Sequence, residues 1–220
     1  MTNLSGPNWG PANRSKPAQL VVLCHGLGAD GSDLIGLAPY MGKALPDAVF
    51  VSPDAPELCD MGPTGRQWFS LSDRDPAKLA VGVARAAGAL NAYIDAQLAK
   101  YDLPLDAYAL VGFSQGAMTV LFTGLRREIA PRAIIACAGA LIAPEALALE
   151  KRNQAPVFLI HGESDDVVPA EMSRRAEIVL KHAGVPVKTL FIPGLYHNID
   201  EAGMAAGAAF LQEQFDETVK

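Results

Sequence analysis

The sequence predicts an α/β fold with a mainly parallel sheet of about six to seven strands flanked by helices. Three observations carry this. Apolar runs of strand length, such as Gln19–Cys24 (QLVVLC) and Pro156–Ile160 (PVFLI), are continuous rather than alternating, as in strands covered on both faces. Stretches with helical spacing separate these runs along the whole chain. Glycine and polar clusters follow the strands at once, at the sheet end where such folds gather their ligands.

The bulk properties agree with that class. With 220 residues, half of them hydrophobic and 19% charged, the chain can bury a substantial core and is not disordered. A net charge of −6 argues against a nucleic-acid surface. Cys24 and Cys137 sit in apolar runs and Cys59 in a polar loop, with no disulfide or metal-ligand pattern. The N-terminus lacks the basic start and apolar centre of a signal peptide, and the longest apolar run, Ala133–Ala143, is far too short to span a bilayer. The expectation is a cytoplasmic protein with no integral membrane segment. A homodimer is left open.

Residues 1–18, rich in Pro, Gly, Asn and Ser, read as an irregular N-terminal arm, and residues 19–220 as one domain. The first strand ends in His25-Gly26-Leu27-Gly28-Ala29-Asp30-Gly31, and Ser32 or Asp33 could cap a helix to about Leu45. Ala48–Pro53 is the second strand. Glu57–Asp75 has no periodicity, and a loop of that length is usually functional. Its Trp68, Phe69 and Leu71 either dock the loop on the core or wall a substrate site. Asp75-Pro76 opens the longest helix, to about Lys100, with Val81, Ala84, Ala87-Gly88, Ala89-Leu90, Tyr93-Ile94 and Leu98 as its buried face. Further strands follow at Ala109–Val111, Ala133–Ala138, Pro156–Ile160 and Val187–Ile192. Further helices follow at Ala117 onward, Glu145–Glu150, Ala170–Ala183 and Ile199–Phe215.

Two glycine motifs compete for the function. Gly26-x-Gly28-x-x-Gly31 follows a strand and precedes a helix, as in a dinucleotide fingerprint, and Asp54 could then hold a ribose. Gly112-Phe113-Ser114-Gln115-Gly116 is G-x-S-x-G between a strand and a helix. Such a turn pushes the serine hydroxyl out at the sheet's C-terminal edge, beside the N–H groups that open the helix. The dinucleotide reading leaves this second motif unexplained. The nucleophile reading uses both, because a glycine-rich turn at His25–Gly28 lets the Leu27 N–H point into the same site.

A serine needs a base within hydrogen-bond reach. Of the four histidines, His25 and His161 end strands and suit loop bracing. His182 ends a helix and suits solvent. His197 follows the last strand in a Pro-Gly loop and suits the base. Asp165 and Asp166 lie after the Pro156–Ile160 strand, giving the chain order Ser, Asp, His. Spacing alone does not choose between the two aspartates.

These stretches together resemble the phospholipase/carboxylesterase family of α/β-hydrolases, which includes the acyl-protein thioesterases. The matching segments are HGLGADG (residues 25–31), RQWFS (66–70), GFSQGA (112–117), HGESDDVVP (161–169) and GLYH (194–197), in the family's order. The resemblance implies an α/β-hydrolase catalytic domain with no large cap, acting on a small-molecule ester or thioester without a cofactor or metal. It implies Ser114 as nucleophile, His197 as base, Asp165 as the orienting acid, and the Leu27 and Gln115 N–H groups as oxyanion hole. Trp68, Leu71, Phe113 and Val167 are the expected substrate-contacting residues. The other classes kept in view are the dinucleotide enzyme and a catalytically silent binding protein on the same fold.

Overall fold

The computed structural model describes residues 4–217. In chain order its elements are β1 (Asn8–Trp9), β2 (Gln19–Cys24), α1 (Gly31–Leu34), a 3-10 turn (Ile35–Leu37), α2 (Ala38–Met41) and β3 (Ala48–Val51). Then come β4 (Glu57–Leu58), β5 (Arg66–Gln67), α3 (Pro76–Lys100), β6 (Tyr108–Phe113), α4 (Gln115–Gly124) and β7 (Ile134–Cys137). A 3-10 turn (Pro144–Ala146), α5 (Leu147–Glu150), β8 (Val157–Gly162), α6 (Glu171–His182), β9 (Val187–Ile192) and α7 (Glu201–Asp216) complete it.

Seven strands form one sheet in the order β1-β3-β2-β6-β7-β8-β9. All neighbours are parallel except the edge pair β1–β3. The apolar runs are continuous because both faces are covered. Leu20, Val22 and Cys24 of β2 join a core with α3, α4 and α6, while Val21 and Leu23 join the opposite core with α1, α2 and α7. Strand order reverses between β2 and β6: the chain leaves β2 toward one edge and returns at β6 to build toward the other. The loops after two such strands diverge and leave a crevice between them. The register pairs Cys24 with Gly112, so the turn at His25–Gly28 and the turn at Ser114 face each other across that crevice.

Several sequence expectations change. The N-terminal arm is not simply irregular: Asn8–Trp9 pair with Phe50–Val51, and the Pro7 and Ser5 carbonyls accept the Ser52 and Asp54 N–H groups. Trp9 anchors it against Phe50, with ring centroids 5.9 Å apart. Two residues are too short a strand to show periodicity. The helix expected to about Leu45 is broken into short pieces and capped by Asp30, whose carboxylate accepts the Ser32 N–H at 2.8 Å. In α3 the buried face is Val83, Ala86, Ala87, Leu90, Tyr93, Ile94 and Leu98. Val81 lies two positions before Val83, about 200° round the helix, and is exposed. Ala84 and Gly88 also face outward.

Candidate active site

Ser114 sits between β6 and α4 with φ 54° and ψ −117°, a conformation that crowds any residue bearing a Cβ. The turn is held from both sides. The Ser114 N–H donates to Cys137 O at 2.9 Å, which fixes it to β7. On the other side α4 presses against the end of β2, where a Cβ on Gly116 would overlap the Cys24 carbonyl oxygen. All ten residues of α4 are buried, so the helix cannot shift to relieve the turn.

The Ser114 Oγ lies 2.9 Å from His197 Nε2, and His197 Nδ1 lies 2.7 Å from Asp165 Oδ2. The carboxylate only accepts, so Nδ1 carries the proton and Nε2 is free to accept from the serine hydroxyl. His197 is positioned by its loop: Ser164 N–H donates to Leu195 O at 3.0 Å, which ties the 194–197 turn to the turn after β8. The imidazole also packs on Phe113, with centroids 4.8 Å apart. The Asp165 side chain is fully buried. Burial alone would raise its pKa, but hydrogen bonds from His197 and from the Val168 and Val167 N–H groups outweigh that and hold it below the usual carboxylate value. Asp166 is exposed and makes none of these contacts. An imidazole so held can take a proton from a serine and carry positive charge against a buried anion.

The Gln115 N–H is the first of α4 and has no intrahelical acceptor by position. Among the described residues no acceptor takes the Leu27 N–H. The Leu27 turn is strapped by the β4–β5 hairpin: Gly28 N–H donates to Arg66 O, and Arg66 N–H to Ala29 O, both at 2.8 Å. Gly65, with φ 84°, lies so close to Gly28 that a Cβ there would overlap its carbonyl. The Gln115 side chain, fully buried, then pins the next loop: its Oε1 accepts the Trp68 N–H at 2.8 Å and its Nε2 donates to Phe69 O at 2.6 Å.

The expected substrate wall is partly corrected. Trp68 and Phe69 are completely buried, and Trp68 Nε1 donates to His25 O at 3.0 Å, so Trp68 is a core brace and not a wall. The Trp side chain turned inward because it found both a core and a buried carbonyl. Leu71 is half-buried against the core, Phe113 flanks the imidazole, and Val167 stands exposed beside Asp165. Sequence reasoning missed an apolar cavity of about 290 Å³ lined by Leu79, Leu141, Ile142, Met172, Ala176 and Val179. Its loop leaves β7 at Gly139, which packs against Ser114 and Ala117. The apolar run continuing past the strand to Leu141-Ile142 was the available signal.

The competing glycine motif has a structural use. Asp54 accepts the Gly31 N–H at 2.9 Å, so the carboxylate assigned to a ribose closes the turn instead. His25 braces the same turn. Its Nε2 accepts the Ala55 N–H at 3.0 Å and its Nδ1 faces Gly26 O at 2.7 Å, which places the proton on Nδ1. Burial depresses its pKa against the raising effects of the Gly26 carbonyl and of Asp54, Asp30 and Asp33. An unfolded His25 binds a proton below ~6.5, where the folded one does not, so the unfolded state gains protons first and stability rises with pH. Stability at pH 5.5 is therefore expected to fall below that at pH 7.5. In a His25→Gln variant the slope should be shallower, checked by urea midpoints at both pH values. Equal slopes would remove His25 as the cause.

Residues 11–215 match the model of a family described as phospholipase/carboxylesterase. The chain is 30% identical over 179 residues to acyl-protein thioesterase 1 of Saccharomyces cerevisiae, covering 76% of this chain and 79% of that one. It is 29% identical over 192 residues to esterase YpfH of Escherichia coli, covering 86% and 80%. Among solved structures it superposes on esterase PE8 with a TM-score of 0.90 at 40% identity, covering 96% and 99% of the two chains.

Proposed function

Since the chain belongs to the phospholipase/carboxylesterase family and is a carboxylic ester hydrolase of the α/β-hydrolase fold, we propose that Ser114 is its nucleophile, activated by His197 and Asp165. The observation that carries this reading is the unbroken chain of contacts, 2.9 Å from Ser114 Oγ to His197 Nε2 and 2.7 Å from His197 Nδ1 to Asp165 Oδ2. Ser114 Oγ attacks the acyl carbonyl and its proton passes to His197 Nε2. The oxyanion is received by the Leu27 and Gln115 N–H groups, donors whose removal elsewhere costs about 10²–10³ in turnover. Collapse expels the alcohol or thiol, which takes the proton from His197, and leaves Ser114 acylated. Water, deprotonated by His197, then attacks the acyl-enzyme. The acid departs and Ser114 regains its proton.

The same reading extends to acyl thioesters, supported by the likeness to acyl-protein thioesterase 1. The acyl chain runs into the apolar cavity between the β7 loop and α6. The reading also takes the protein as cytoplasmic, supported by three free cysteines, two of them buried. Among the described residues no helix is long and apolar enough to cross a membrane.

The test is a panel of p-nitrophenyl esters of increasing acyl length together with one acyl-thioester. Turnover is expected to rise with chain length while the chain fills the cavity, and Ile142→Trp should move the optimum to shorter chains. An optimum untouched by Ile142→Trp would place the acyl chain elsewhere.

A further inference from the structure

A second buried imidazole touches the same carboxylate. His161 lies near the end of β8 with no side-chain exposure. Its Nε2 faces two acceptors, Val168 O at 2.8 Å and Asp165 Oδ2 at 3.1 Å. Neither can donate in its ordinary state, so Nε2 carries a proton shared between them. Its Nδ1 lies 2.7 Å from Ser173 Oγ, a buried hydroxyl on α6 whose other neighbour, Gly139 O, is 3.4 Å away. The nearer partner takes the hydroxyl proton, so Ser173 holds the ring from behind.

We propose that His161 is a positioning residue for hydrolysis: held by Ser173, it fixes the Asp165 carboxylate on which His197 turns. This rests on the reading of Asp165 as the partner of His197.

The arrangement of donors supports it. Asp165 Oδ1 accepts the Val167 and Val168 N–H groups at 2.9 and 2.8 Å. Oδ2 accepts from His197 and from His161. Without His161, Oδ2 has a single donor, and that donor is the ring it is supposed to orient. A carboxylate fixed only through Oδ1 can swing about that edge and carry His197 with it. Because His161 also holds Val168 O, it closes the Asp165–Val168 turn from both ends.

Two replacements test this. His161→Leu removes the donor, whereas His161→Gln keeps an N–H near the Nε2 position. Loss of a hydrogen bond to a charged group should lower kcat about ten- to a hundredfold in His161→Leu, with KM moving less than about threefold. His161→Gln should recover most of that loss. In an Asp165→Asn background, His161→Leu should cost less than about threefold more, because the anion it positions is already gone. Equal losses in both backgrounds would mean a merely structural histidine and would overturn the proposal, as would unchanged turnover in His161→Leu. If His161→Leu fails to fold, Ser173→Ala takes its place in both backgrounds. A several-fold loss confined to the Asp165 background supports the proposal, and an unchanged kcat overturns it. Full turnover in Asp165→Asn alone would instead refute the reading on which the proposal rests.

Discussion

Ser114→Ala is expected to abolish ester turnover, with kcat lower by about 10⁶-fold as in a comparable serine hydrolase stripped of its nucleophile. The size follows from what is removed. Alanine keeps the Cβ, the strained turn and the flanking contacts, and loses only the atom that bonds to the acyl group. The remaining catalysis comes from the oxyanion donors and substrate binding. The fold should hold, because the Oγ hydrogen bond goes to His197 and not to the core. A second replacement separates chemistry from strain. At φ 54°, ψ −117°, a Cβ is unfavourable, and glycine relieves it. Ser114→Gly should therefore be as inactive as Ser114→Ala and more stable by on the order of 1 kcal/mol. Fluorophosphonate labelling, kcat on one p-nitrophenyl ester and urea midpoints measure all three quantities. Labelling that persists at another serine would end the assignment.

The second large effect distinguishes two adjacent carboxylates. Asp165→Asn should lower kcat by about 10⁴, as in the serine-protease precedent. The local geometry says how. Val167 and Val168 donate to Oδ1, so an amide must keep its oxygen there and turn its NH₂ to the Oδ2 position. That NH₂ meets His197 Nδ1 and forces the ring to carry its proton on Nε2, facing the serine. It also meets the Nε2–H of His161, donor against donor, which should cost about 1–3 kcal/mol of stability. Asp166→Asn, on an exposed side chain outside α6, should lose less than about tenfold and change stability by no more than about 0.5 kcal/mol. Measuring both on the same ester decides the register: a dead Asp166→Asn beside an active Asp165→Asn would move the acid by one residue.

Much of this architecture was legible because burial on both faces writes itself as unbroken apolar runs. The last strand is bounded at Val187–Ile192 in sequence and structure alike. The start of α3 was legible because Asp75 caps it, accepting the Ala77 and Lys78 N–H groups, with Pro76 at the first turn. The phase of α3 was legible from Leu90 to Leu98, where Leu90, Tyr93, Ile94 and Leu98 are buried as expected, but not in its first turns, where an Ala-rich sequence offers apolar residues on every side and only the sheet selects among them. Trp68 could not be placed from sequence, since a tryptophan in an aperiodic loop serves a core or a ligand equally well. Packing against His25 and the Gln115 clamp decides for the core. The choice between Asp165 and Asp166 depends on which way a turn points, and local spacing carries no information on that. His161 was legible as a brace, but its contact with the Asp165 carboxylate depends on a fold-back from Val168.

The Gln115 clamp holds the Trp68–Phe69 loop by backbone groups alone, one N–H and one carbonyl. A grip on the main chain is blind to the side chains around it. Leu58 to Thr64 and Ser70 to Arg74 are exposed or half-buried and supply no side chain to the clamp. Those stretches can therefore be rewritten, by drift or by a protein engineer, while the N–H of Gln115 and the turn it opens stay in register with Ser114. Loop sequence and site geometry are thus separately heritable in this chain: the one is free to vary, the other is held by a serine turn locked between two strands and a buried helix.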